Sequence, residues 1–293
     1  MNIALYGRTL SAGFEKCMQQ LVKILEKNDC GIYIYEPFSA VLNNTVKFKK
    51  PFIPFTRHRE IYDKVSYVFS IGGDGTLLNT ITLVKDSGIP VMGINTGRLG
   101  FLASISKEEV PQAVEDILNK KFVIEKRSLL ELNTQDNLFG KLNIALNELT
   151  VMKKDSSSMI SINVYLNDEY LNSYWADGLI VATPTGSTAY SLSCGGPIIS
   201  PDSENFILTP IATHNLTVRP FVIPDKYTIR LKISDDRSRK FLVSLDSRTQ
   251  TIDNSIELLI KKAGFSFNLL KLKNENFYST IRNKLMWGID KRN

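Results

Sequence analysis

Three glycines surround one carboxylate in "SIGGDGTLLNT", residues 70 to 80, directly after the apolar "VSYVF" and directly before the helix-like "LLNTITLV". Glycine weakens strands and helices unless the backbone needs positive φ or something must approach it closely. Two readings account for the cluster. One is a plain turn, for which Asp-Gly pairs are well suited. The other is a phosphate cradle in which a strand over 65 to 71 delivers Gly72 and Gly73 to a sharp loop, and Thr76 begins a helix whose free N–H groups point at an anion. Gly72, Gly73, Gly75 and Thr76 are then the phosphate loop. Asp74 sits at the carboxyl end of the strand, the edge at which open α/β sheets bind ligands. A carboxylate repels phosphate, so its place there suggests a base toward a hydroxyl or a partner of bound magnesium. No GK[ST] follows, and the spacing is not GxGxxG, so this is neither a P-loop nor a Rossmann fingerprint.

Three further stretches add polar groups. In "NTGRLGFL", 95 to 102, Gly97 and Gly100 bracket Arg98, and Leu99 and Phe101 offer walls for an adenine or nicotinamide face; the plainer reading is a loop with an apolar plug. In "LNELT", 146 to 150, Asn147 offers an amide donor and acceptor and Glu148 can accept from a ribose hydroxyl, where the plainer reading is a turn or strand edge. The longest is "YWADGLIVATPTGSTAYSLSCGGPIISP", 174 to 201. From Ala182 to Ser193 it supplies backbone and hydroxyl donors without bulk, with the Asp177 carboxylate ahead of them, which suits a sugar–phosphate ligand. Pro184, Tyr190, Pro197 and the apolar "GLIVA" and "PIIS" argue against a flexible linker. His214 reads as structural and His58, in "TRHRE", as solvated. No GxSxG elbow supports a Ser–His–Asp hydrolase.

The elements that must position these groups alternate over the first hundred residues. "NIALYG" is a short apolar run, "FEKCMQQLVKILEKN" has helical spacing, "GIYIYE" is strand-like, and "VSYVFSIGG" and "IPVMGIN" read as buried strands. Such alternation predicts a parallel sheet with helices on both faces. From about residue 122 the pattern becomes strand-like runs divided by Asn, Asp, Gly and Pro. The tail "NENFYSTIRNKLMWG" returns to helical spacing, with Phe277, Ile281, Leu285 and Met286 on one apolar stripe.

A chain of 293 residues, 43% hydrophobic and 23% charged, has room for two domains and a large core. A net charge of +6 suits anionic ligands, nucleotides and polyphosphates included. The densest basic runs, "KFKK" at 47 to 50 and "DDRSRK" at 235 to 240, lie far apart in sequence and read as solvated loops, not as a nucleic-acid face. Cys17, Cys30 and Cys194 show no CxxC spacing and leave one unpaired in any disulfide scheme, so a reduced cytoplasmic setting is expected. No apolar run approaches membrane-spanning length, and "MNIALYGRTL" carries no signal-peptide pattern.

Together the clusters closely resemble the NAD kinase family, which phosphorylates the adenosine 2′-hydroxyl of NAD. The resemblance rests on "GGDGT" at 72 to 76, "GINTGRLGFL" at 93 to 102, "NE" at 147 and 148, "DGLIVATPTGSTAYSLSCGGPI" at 177 to 198 and "PIATHNLTVRPFVIP" at 210 to 224, in the family's order. "GGDGT" alone is shared with related lipid kinases; the 177 to 198 segment is far more specific and argues against a lipid or sugar kinase. An intact Asp74 argues against a non-catalytic dinucleotide sensor. The resemblance implies that Asp74 takes the proton from the attacking hydroxyl. It implies NAD contacts by Asp74, Gly75, Phe101, Asn147, Glu148, Asp177, Thr188, Ala189, Tyr190, Ser191, Ser193 and Ala212, with Tyr190 a stacking surface. It also implies ATP or polyphosphate as donor, Mg2+ or another divalent metal with no assigned ligands, and a homodimer or homotetramer. The implied fold is an α/β nucleotide domain over 1–103, a β-rich NAD-binding domain over 104–273, and a helix within 274–293 packing back on the first. Two places depart from the family pattern: Trp175, where relatives often carry Arg, and Asp246-Ser247-Arg248, where many have Asp-Gly-Gln.

Overall fold

The computed structural model of the chain describes residues 1–97, 99–154, 158–234, 240–273 and 275–288. Arg98 and most of the basic run at 235 to 240 therefore lie outside the described residues. The chain divides into two units, Met1–Lys126 with Phe267–Asn293, and Arg127–Ser266.

The first unit is built on a seven-stranded sheet in the order Ile53–Phe55, Gly31–Tyr35, Asn2–Tyr6, Tyr67–Gly72, Val91–Asn95, Phe267–Leu272, Phe122–Arg127. From Ile53–Phe55 to Phe267–Leu272 each neighbouring pair is parallel. The central strands are buried on both faces, which is why their sequences read as unbroken apolar runs. Helices Glu15–Lys27 and Val110–Leu118 contribute Leu21, Leu25, Val114 and Ile117 to a core shared with Ile3, Leu5, Ile71 and Ile94. Strand order reverses between Asn2–Tyr6 and Tyr67–Gly72, so the carboxyl ends of these two strands flank a topological switch point. Asp74 opens the helix Asp74–Val84 immediately beyond the second of them, two residues earlier than the start expected at Thr76.

The boundaries differ from those expected. Segment 104–126 belongs to the first unit, because Val110–Leu118 packs with Glu15–Lys27 and Phe122–Arg127 joins the parallel sheet. Strand Phe267–Leu272 belongs there too, Leu269 pairing with Val91. The C-terminal helix is Phe277–Leu285, capped by Asn276, whose Oδ1 accepts from the Ser279 amide at 2.8 Å. Phe277, Ile281 and Leu285 are half-buried, but Met286 lies past the helix end at φ +54° and is exposed, so it leaves the stripe.

The second unit holds two six-stranded sheets whose pairings are antiparallel. Leu149, Val151, Leu179, Val181, Phe206 and Leu208 of one share a core with Ile160, Ile162, Val164, Leu231 and Ile260 of the other. Strand Gly178–Ala182 is buried on both faces: Leu179 and Val181 enter that core, while Ile180 and Ala182 lie beneath Cys194 and Ile199. The "GLIVA" run is thus apolar throughout because the 183–199 segment covers the sheet's other face. Among the described residues no helix is long and apolar enough to cross a membrane.

Candidate active site

In the first unit, the feature that organises the glycine loop is the Asp74 carboxylate. Its Oδ2 accepts from the Phe101 amide at 2.8 Å, and its Oδ1 from the Leu102 and Ala103 amides at 3.0 and 2.9 Å. A carboxylate has about four lone-pair positions. Among the described residues, these bonds occupy both on Oδ1 and one on Oδ2 and leave a single acceptor position, on Oδ2. The close approach explains Gly100, where an added Cβ would run into the carboxylate itself. Gly73 and Gly75 are exposed at the helix N-terminus and have open space where a side chain would be, as a cradle for a bulky anion requires. Phe101 serves the loop through its amide, and its ring lies 5.0 Å beneath the Lys284 ammonium.

In the second unit, Asn147 and Glu148 lie at the entry to strand Glu148–Lys153 and are held by Asp246. The Asp246 carboxylate accepts from the amides of Leu146, Asn147 and Glu148 at 3.0, 2.8 and 3.2 Å. Arg248 lies 4.0 Å from Asp246 and donates to the carbonyls of Leu142 and Ile144. Asp246, which keeps the family pattern, and Arg248, which departs from it, together brace the Asn-Glu pair. Opposite it, the Thr183 amide donates to the Asn147 carbonyl at 2.8 Å and the Thr183 hydroxyl to the Leu146 carbonyl. Gly186 presses on the same Asn147 backbone, where a Cβ would collide with the carbonyl.

This packing brings Glu148 against the 185–193 turn. The Tyr190 amide donates to its carboxylate, while Oε2 is buried with no partner. Burial, reinforced by the nearby Asp246 charge and opposed by that amide, pushes the Glu148 carboxyl up to about 8. Asp246 is likewise raised by burial, against the lowering effect of the amides it accepts from.

Thr188 and Ala189 are half-buried, while Tyr190 and Ser193 are exposed and present the outer side of this turn. Ser191 faces inward: fully buried, it shares a 2.8 Å hydrogen bond with Thr209 and so anchors the turn. Asp177 is engaged by Lys153 at 2.6 Å. Ala212 is exposed and held at φ +46°, a left-handed conformation that an alanine adopts at some cost. Trp175, the second departure, packs in a tilted arrangement against His214 with ring centroids 4.3 Å apart, and both residues are exposed. His58 is not solvated as expected; it is half-buried, with Nδ1 2.5 Å from the Leu83 carbonyl. Among the described residues no group of three or more His, Cys, Asp or Glu is placed to hold a metal.

The chain matches known proteins over most of its length. Residues 3–122 match the family model of the ATP-NAD kinase N-terminal domain, and residues 146–272 that of the ATP-NAD kinase C-terminal domain. The chain is 45% identical to an NAD kinase of Christiangramia forsetii and 46% identical to one of Flavobacterium psychrophilum, with 100% of both chains covered in each case. Among solved structures, yeast NADH kinase complexed with NADH superposes with a TM-score of 0.85 at 22% identity, covering 99% of this chain and 88% of that one. An NAD kinase from Archaeoglobus fulgidus in complex with ATP gives 0.76 at 24%, covering 98% and 99%.

Proposed function

The chain belongs to the NAD kinase family and carries that family's kinase activity, and we propose that it transfers the terminal phosphoryl group of ATP, or of another triphosphate or polyphosphate, to the adenosine 2′-hydroxyl of NAD to give NADP. The observation that carries this reading is the seat of Asp74: a carboxylate fixed by three backbone amides, with one acceptor position left on Oδ2. The hydroxyl oxygen attacks the phosphorus, the bond to the leaving phosphate oxygen breaks, and the hydroxyl proton passes to Oδ2. Phosphoryl transfer asks little else of the protein beyond alignment and charge neutralisation. Gly73 and Gly75, exposed at the helix N-terminus, are suited to the donor phosphates.

A divalent metal, magnesium by preference, supplies neutralisation of the phosphate charge when bound. Magnesium is commonly held by one or two carboxylates together with substrate phosphates and waters. With the open Oδ2 position of Asp74 given to the hydroxyl, magnesium would be held by the substrate phosphates and waters and would need no protein cage.

The second unit takes the dinucleotide in this reading. Glu148 Oε2 is a buried polar atom awaiting a partner, and the exposed Tyr190 ring is a stacking face beside it. Two similar proteins were solved with NADH and with ATP, the two ligand classes that the reading requires. Cys17, Cys30 and Cys194 are all free, which supports a reduced cytoplasmic setting. A homodimer or homotetramer is the proposed assembly.

Purified protein incubated with NAD, magnesium and ATP or polyphosphate is expected to form NADP, scored with an NADP-specific dehydrogenase. Folded protein that makes none with any donor would refute the reaction. Tyr190→Ala and Asn147→Ala are expected to raise KM for NAD, since stacking and hydrogen-bond contacts made in the ground state are lost. An unchanged KM in both variants would place the dinucleotide elsewhere.

A further inference from the structure

We propose that the C-terminal segment 275–284 is a positioning device for the Asp74 carboxylate, and that Lys284 is its principal positioning residue. The inference rests on the reading of Asp74 as the base. Among the described residues, every hydrogen bond that orients this carboxylate comes from the backbone of one short stretch, Phe101 to Ala103. Backbone donors move only when the loop moves, so whatever fixes the loop fixes the base.

The loop is held on both sides of those amides by residues about 170 to 185 positions later in the chain. On one side, Lys284 Nζ donates to the Leu99 carbonyl at 2.7 Å and lies over the Phe101 ring. On the other, the Ser104 hydroxyl donates to Glu275 at 3.2 Å and accepts from the buried Lys271 ammonium at 2.9 Å. Glu275 also accepts from the Leu272 amide, which ties the clasp to the end of strand Phe267–Leu272. Lys271 and Glu275 sit beneath the surface and have an evident part in stability. Lys284 does not: it is exposed, and an exposed ammonium contributes little to folding. Its contacts nonetheless fall on Phe101, itself one of the Asp74 donors, and on Leu99 two residues before it. A misplacement of reacting groups by an ångström costs far more in rate than such a contact contributes to stability.

The test uses Lys284→Met, which keeps the side-chain stem and removes the charge and donor, and Lys284→Arg, which keeps both. Lys284→Met is expected to lower kcat about five- to tenfold with KM for NAD and the melting temperature unchanged. Amide hydrogen exchange at Phe101, Leu102 and Ala103 is expected to accelerate, with exchange at Leu146 to Glu148 unaltered. Lys284→Arg restores both rate and protection. Wild-type kcat in Lys284→Met, unaltered exchange at 101 to 103, or an equal loss in the Arg and Met variants each overturns the proposal. Asp74→Asn assayed alongside separates the two ideas. Retained kcat in that variant removes the base, whereas the exchange at 101 to 103 in Lys284→Met still decides whether the segment holds the loop.

Discussion

Asp74→Asn is expected to lower kcat by about 10²–10⁴, the usual worth of general-base assistance, with NAD affinity by calorimetry within a few-fold of wild type. The loss is that large because the bonds from the described residues leave one open acceptor position on the carboxylate, on Oδ2, the oxygen that receives the proton. An Asn whose carbonyl oxygen takes the Oδ1 place keeps the bonds from Leu102 and Ala103, so the loop retains most of its support. Its NH2 group then faces the Phe101 amide, donor against donor, and the acceptor is gone. Raising magnesium separates a base from a metal ligand: activity that partly returns identifies metal binding as the main role, whereas a lost base does not respond. An Asn variant with near-wild-type kcat at ordinary magnesium would reduce the glycine-flanked carboxylate to a turn former.

Asp74 was legible in the sequence because its neighbours are so unusual. Glycines on both sides of a carboxylate, between an apolar run and a helical one, have few physical explanations. What surrounds it was less legible. Gly100 could be seen as permissive, but its reason, the Asp74 carboxylate pressed against its Cα, depends on a contact across 26 residues of chain. Strand Phe267–Leu272 shows why the domain boundary was misplaced. A strand's local pattern reports which faces are covered, not which sheet it joins, and this one returns to pair with Val91–Asn95 after the whole second unit. Helix Val110–Leu118 was passed over because "VPQAVEDIL" is short and stands next to strand-like text. Asp246 was named only as the first residue of a triplet whose next two positions, Ser247 and Arg248, depart from a family pattern. Its work is done on backbone amides about a hundred residues earlier, and amides carry no side-chain signal for a sequence to display.

Glu148 makes the stability of this protein depend on pH in an unusual direction for a carboxylic acid. Most acidic groups that matter to a fold are held below their ordinary range by partners, and stability is lost as they are protonated. Here burial first, then the adjoining Asp246 charge, raises the Glu148 carboxyl from 4.5 to about 8, and the Tyr190 amide only partly offsets them. Between those values the folded chain holds a proton that the unfolded chain releases. The contribution is therefore fully present below about 4.5 and is lost as pH rises through about 8. Each unit of such a shift corresponds to about 1.4 kcal/mol, so the change across the window is on the order of a few kcal/mol. Glu148→Gln has the same shape and no proton to lose. In denaturant unfolding from about pH 5 to pH 9, wild type is expected to lose stability relative to Glu148→Gln up to about pH 8 and to run parallel with it above. Asp246→Asn removes the neighbouring charge and should move the upper limit of the window to lower pH, though not to 4.5, because burial is the larger cause. A difference between wild type and Glu148→Gln that stays flat across the range would mean that Glu148 is ionised in its pocket, with water or a cation beside Oε2 in place of the proton.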